Sequence, residues 1–174
     1  MEAGCLNHCD VPYAFKACAF QEAYKLGYRK VLWLDALVEP LKDIMPLFKH
    51  IRKKTVLYRY SIYNFGSQVT QEILNDFNLS FDEAKNYSHI ATGILGFNFE
   101  STDAVQVLQE WHAAVLRRKS FYTNFPEQIP LSIILHKYKL NDRAFGPNLV
   151  TISSNDDPNC FFRIDYTRKQ QGTP

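Results

Sequence analysis

The run Val31-Leu32-Trp33-Leu34, ending on Asp35, constrains this chain more than any other stretch. Four consecutive apolar residues leave no polar face. A strand of this kind must be covered on both sides, as in a parallel sheet flanked by helices. Open α/β sheets place ligands beyond the carboxyl ends of their strands. A lone carboxylate at that point can hold a cation, a ribose hydroxyl or a substrate proton. It can equally cap the turn that leads out of the strand.

The surrounding residues supply the cover. Pro12 suits a first helical turn. The spacing of Phe15, Cys18, Ala19, Ala23 and Leu26 predicts a helix over 13–26, stopped by Gly27. Pro40 opens a second predicted helix over 41–51, with Leu41, Ile44, Leu47 or Phe48, and Ile51 inward. A strand is expected over 55–60 and a helix over 68–77. Ser80 and Glu83 form a capping-box pattern for a further short helix. His89 to Phe99 reads as one strand, or two short ones, with Gly93 and Gly96 marking a bulge or a close backbone approach. A helix over 102–118 follows, capped by Ser101 or Thr102. Another covers 127–138, with Pro130 in its first turn and Leu131, Ile134 and Leu135 inward. Two weak strands fall at 148–152 and 160–164. Residues 1–11 read as an irregular lead-in and 166–174 as a frayed tail. With no repeat and no linker, the expectation is a single α/β domain over 1–174, its central mixed sheet of four to five strands flanked by helices.

Apolar residues make up 46% of the 174 and charged residues 22%. That is a soluble globular composition with enough chain for a core. No apolar run reaches the ~20 residues of a membrane helix, and the first ten residues lack signal-peptide order. A cytoplasmic protein, or a piece of one, is expected. The net charge of +2 does not point to nucleic acid. The triplets Arg52-Lys53-Lys54 and Arg117-Arg118-Lys119 sit at predicted helix ends, where cations suit the dipole. Cys5, His8 and Cys9 have zinc-ligand chemistry without a second pair at matching spacing. Reduced thiols are the expectation for a cytoplasmic chain. No phosphate loop, dinucleotide fingerprint or Ser/His/Asp order is present. His112 reads as a packing residue and His89 as a loop donor.

Taken in order, the segment from the first helix through Gly27-Tyr28 to Leu32-Trp33-Leu34-Asp35-Ala36, the glycine-bearing run Ala91 to Asn98, the Trp111 helix and the step Glu127-Gln128 resemble the centre of nucleotide-sugar glycosyltransferases of the GT-A fold. The resemblance spans residues 12–140. In that family a strand ends in an Asp-x-Asp motif, and an Asp-Gln step opens a later helix. The resemblance implies the C-terminal part of such a fold, a nucleotide-sugar donor and a hydroxyl-bearing acceptor. Asp35 would stand at the donor centre. Lys16 would face the leaving diphosphate, Thr92 and Gly93 the sugar, and Gln128 the substrate; Glu127 would be the base of an inverting enzyme. Beside these roles stand plainer ones: a solvated lysine, a helix-start acid and a bulge glycine.

Two departures shape the expectation. Asp35-Ala36-Leu37 keeps the first acid of the motif and replaces the second with leucine. The motif's Mn²⁺ or Mg²⁺ would then rest on Asp35 with a thin oxygen shell. Glu39 would have to turn back to help, and Pro40 holds it extended. Only about 30 residues precede Val31, no more than a βαβ unit takes. The nucleotide-binding half would be missing, or would come from a partner chain. The competing expectation is a non-catalytic carbohydrate-binding or protein-interaction module. In either case Tyr58, Tyr60, Tyr63 and Phe65 could floor a sugar site or equally be core and ordinary surface.

Overall fold

In a computed structural model, residues 10–152 and 157–165 are described. The zinc expectation at Cys5, His8 and Cys9, and the frayed tail at 166–174, lie outside them.

His89 to Phe99 resolves the fold. One continuous strand, β4 (Ile90–Asn98), forms the middle of a three-stranded sheet. β1 (Lys30–Leu34) lies on one side and β3 (Val56–Tyr60) on the other, both antiparallel to β4. β1 is therefore an antiparallel edge strand, not the strand of a parallel sheet that its apolar run suggested. The apolar run of β1 has a different cause. Val31 and Trp33 pack against a large cluster on one face, while Leu32 and Leu34 pack against a second cluster on the other. Both faces are covered, so the strand needs no alternation, although as an edge strand each residue is only half-buried.

The first face carries α1 (Phe15–Lys25), α5 (Thr102–Arg117) and α6 (Gln128–Lys137), with Phe20, Phe97 and Trp111 meeting at its centre. On the second face lie α2 (Met45–Lys54) and a second small sheet. Gly96 lets α2 approach: a Cβ there would stand 2.5 Å from Ile51 Cδ1. The second sheet orders β2 (Val38–Pro40), β6 (Phe162–Ile164) and β5 (Val150–Ile152), antiparallel then parallel. α3 (Gln71–Phe77) and α4 (Phe81–Ala84) pack beside α6 around Phe65, Ile73 and Ile133. Ser80 and Glu83 form the expected capping box.

The α/β class holds, but as two sheets of three strands among the described residues, in place of one sheet of four to five. Pro40 explains part of the difference. It ends β2 against Phe162, and Pro46 starts α2 instead. The face of α1 also differs. Ala17 and Phe20 are buried with Tyr24 packed beside them, while Phe15, Ala19 and Leu26 face outward. Aromatic and alanine residues on both faces left its period ambiguous. Cys18 is disulfide-bonded, against the expectation of reduced thiols, while Cys160 is free. No helix among the described residues is long and apolar enough to cross a membrane.

Candidate functional site

Asp35 follows directly on β1, and its backbone N–H donates to the Gly93 carbonyl at 2.9 Å. This holds the side chain beside the middle strand, where pairing of β3 with β4 shifts register between Leu57 and Arg59. The interruption frees Thr92 and Gly93 from ordinary ladder geometry. It bears out the expected irregularity at Gly93, and the close approach is present as well. A Cβ at Gly93 would lie 3.3 Å from Asp35 Oδ2.

Four segments distant in the chain meet here. Lys16, from α1, is only 2% exposed. Its Nζ lies 3.0 Å from Asp35 Oδ1 and 3.2 Å from Oδ2. The same ammonium lies 3.1 Å from Glu127 Oε1 and 3.4 Å from Thr92 Oγ1. The Thr92 hydroxyl donates to Glu127 Oε1 at 2.7 Å. Trp33, two residues before Asp35, donates its indole N–H to Asp35 Oδ1 at 2.7 Å. One cation thus bridges two carboxylates, leaving one net negative charge, and each carboxylate accepts from a further donor. A buried lysine is tolerated only when paired and hydrogen-bonded in this way.

The carboxylates differ in access. The Asp35 side chain is 40% exposed and that of Glu127 4%. Glu127 occupies the N-cap position of α6, yet its side chain makes no capping hydrogen bond. Its carboxylate turns into the network instead. A cleft of about 480 Å³ opens over Asp35, Thr92, Gly93 and Gln128. Lys16 and Glu127 lie behind that surface. Of the tyrosines and phenylalanine proposed as a sugar floor, Tyr63 alone lines this cleft. Tyr58 is in the core, where its hydroxyl donates to the Leu140 carbonyl at 2.7 Å. Phe65 is buried in the third cluster, and Tyr60 borders neighbouring hollows.

His89 lies nearby, 3% exposed, in an aromatic enclosure that includes Phe125. Burial lowers its pKa, while the Glu127 charge and the Tyr63 backbone pull weakly the other way. Neither ring nitrogen has a hydrogen-bond partner of good geometry.

The residues present do not make a divalent-cation cage. Among the described residues no group of three or more His, Cys, Asp or Glu converges. Asp35 is engaged by Lys16 and Trp33, and Leu37 lines the cleft as an apolar residue. Glu39 is held by Arg163 at 2.8 Å, within the β2–β6 pair.

Sequence reasoning passed over Trp33 as a partner of Asp35, and Arg59 and Phe125 as cleft residues. The signal for Trp33 was its i, i+2 relation to Asp35, which places both on one side of an extended chain. No family model, curated protein or solved structure matches the chain.

Proposed function

We propose that the cleft binds a nucleotide-activated sugar and transfers the sugar to an acceptor hydroxyl. The observation that carries this reading is the meeting of Lys16, Asp35, Thr92 and Glu127 in one buried network under a cleft. These residues come from the segments whose order resembles the GT-A transferases. In the reaction the acceptor oxygen bonds to the anomeric carbon. The bond from that carbon to the diphosphate oxygen breaks, and the electron pair leaves with the diphosphate. The acceptor proton goes to a carboxylate.

Between the two carboxylates, access favours Asp35 as the group that touches substrate. Glu127, the base suggested by the resemblance, is shielded and shares its Oε1 between Lys16 and Thr92. Its role in this proposal is to hold Lys16, which in turn fixes Asp35. Gly93 keeps the Asp35 carboxylate free of a neighbouring Cβ, and Gln128 offers an amide to sugar hydroxyls. The donor set does not support Mn²⁺ or Mg²⁺ held by Asp35, so no step is routed through a metal.

A second reading is a binding module of the same architecture that holds glycan without transfer. The shielding of Glu127 favours it, because a single open carboxylate can bind sugar hydroxyls without catalysis. Calorimetry with a panel of nucleotide sugars, with and without Mn²⁺, tests the leading reading. Binding of at least one donor, weakened in Asp35→Asn, is expected. No binding to any donor, together with unaltered behaviour of Asp35→Asn, removes it.

A further inference from the structure

Arg59 stands apart from the other half-buried arginines. Arg143 donates to the Lys54 carbonyl and to Thr55 Oγ1, each at 3.3 Å, and Arg163 is paired with Glu39. Arg59, on edge strand β3 and paired through its backbone with Ala91, is also half-buried, yet its side chain makes no hydrogen bond or ion pair among the described residues. It lines the cleft that holds Asp35, and the two are the charged residues of that lining. Lys16 is shared between Asp35 and Glu127 and does not reach the lining. Among the described residues no protein acceptor meets the Arg59 guanidinium, so its donors are open to a ligand in the cleft. Its planar fork suits the paired oxygens of a phosphoryl group.

We propose that Arg59 is the anion-binding position of the cleft and takes the donor's diphosphate, supplying the positive charge that a divalent cation supplies elsewhere. The proposal rests on the nucleotide-sugar reading. It also answers the misfit described above. Leu37 and the engaged Asp35 do not build a metal cage, so the charge that develops on the leaving diphosphate needs another partner. Arg59 is the cation lining that surface, whereas Lys16 is enclosed and committed to two carboxylates. Recognition by Arg59 is specific for the oxyanion and indifferent to the base and the sugar. The structure thus assigns the cleft a metal-independent diphosphate subsite.

The test is calorimetry in EDTA with inorganic pyrophosphate, UDP and GDP, on the whole chain and on Arg59→Gln and Arg59→Lys. Arg59 has no partner to lose, so thermal melting should be unchanged in both variants. The unaltered chain is expected to bind pyrophosphate and at least one of the two nucleotides without metal, more weakly as salt rises. Arg59→Gln should weaken both by about tenfold or more, the range of a charge-assisted pair. Arg59→Lys should fall between. Equal binding by Arg59→Gln overturns the proposal, as does failure of pyrophosphate and both nucleotides to bind in EDTA. If nucleotide sugars bind only with Mn²⁺ and ignore Arg59→Gln, the transferase reading survives and this inference falls. If no nucleotide or nucleotide sugar binds under any condition, both fall.

Discussion

Replacing Lys16 by methionine keeps most of the side chain's volume and removes its charge. The cation lies 3.1 Å from Glu127 and 3.0 Å from Asp35, and is itself 2% exposed. Its loss leaves Glu127 nearly enclosed with a single hydroxyl donor, Thr92. Stranding a buried charge costs ~3–5 kcal/mol. Asp35 is 40% exposed and keeps its Trp33 hydrogen bond, so it adds at most ~1 kcal/mol. Glu127→Gln alone should cost less, about 1–3 kcal/mol, because Lys16 keeps Asp35 and the amide oxygen still accepts from Thr92. The double variant contains no stranded buried charge. Its cost should fall below the sum of the singles by about 1–3 kcal/mol. Urea unfolding of the four proteins at neutral pH measures this cycle. A Lys16→Met cost under about 1 kcal/mol, or strict additivity, would refute the claim that this network holds the site together.

Further outcomes follow from single contacts. Gly93→Ala places a methyl 3.3 Å from Asp35 Oδ2, so donor binding should drop several-fold while the melting temperature shifts little; the reverse pattern would deny Gly93 its part in the cleft. Gly96→Ala instead drives a Cβ into Ile51, whose Cγ1 and Cδ1 would lie at 2.9 and 2.5 Å, and Leu57 lies behind. Overpacking should cost about 1–3 kcal/mol in urea unfolding, and an unchanged midpoint would mean that α2 is free to move away. His89 is held below its ordinary pKa of 6.5 by burial, which outweighs the Glu127 charge and the Tyr63 backbone. The unfolded chain gains its proton as pH falls through about 6.5 and the folded chain only at lower pH, so stability declines on that side. His50, His112 and His136 act in the same direction. His89→Leu should therefore narrow, without abolishing, the gap between urea midpoints at about pH 7.5 and pH 5.5, above most carboxylate titration. An unchanged gap would show that His89 is protonated in the fold.

Much of the architecture was legible because its signals are local. The helices around Trp111 and after Glu127-Gln128 were legible from their apolar residues, and the Ser80–Glu83 box from capping chemistry, whereas the N-cap residues Ser101 and Glu127 make no side-chain capping bond. The second sheet was not legible as a sheet. Its strands are three residues long, too short to show a period, and their pairing is set by contacts across the chain, such as Val38 with Ile164. Lys16 shows the limit for the site. Its type suggests a solvated face, and its burial is decided by partners 19, 76 and 111 positions away. The candidate residues could be picked by their order along the chain. The division between an open Asp35 and an enclosed Glu127 depends on tertiary packing, which no local pattern reports.

The central claim, that a sugar donor is consumed at Asp35, is tested most directly by release of free nucleotide. The chain and its Asp35→Asn variant would each be incubated with a panel of nucleotide sugars and simple glycosides as acceptors, with water the acceptor in their absence, and liberated nucleoside diphosphate would be measured against a blank. Release from at least one donor by the unaltered chain is expected, with a loss of at least tenfold in Asp35→Asn at an unchanged melting temperature. Release no faster than the blank from every donor, or equal release by both proteins, would contradict it.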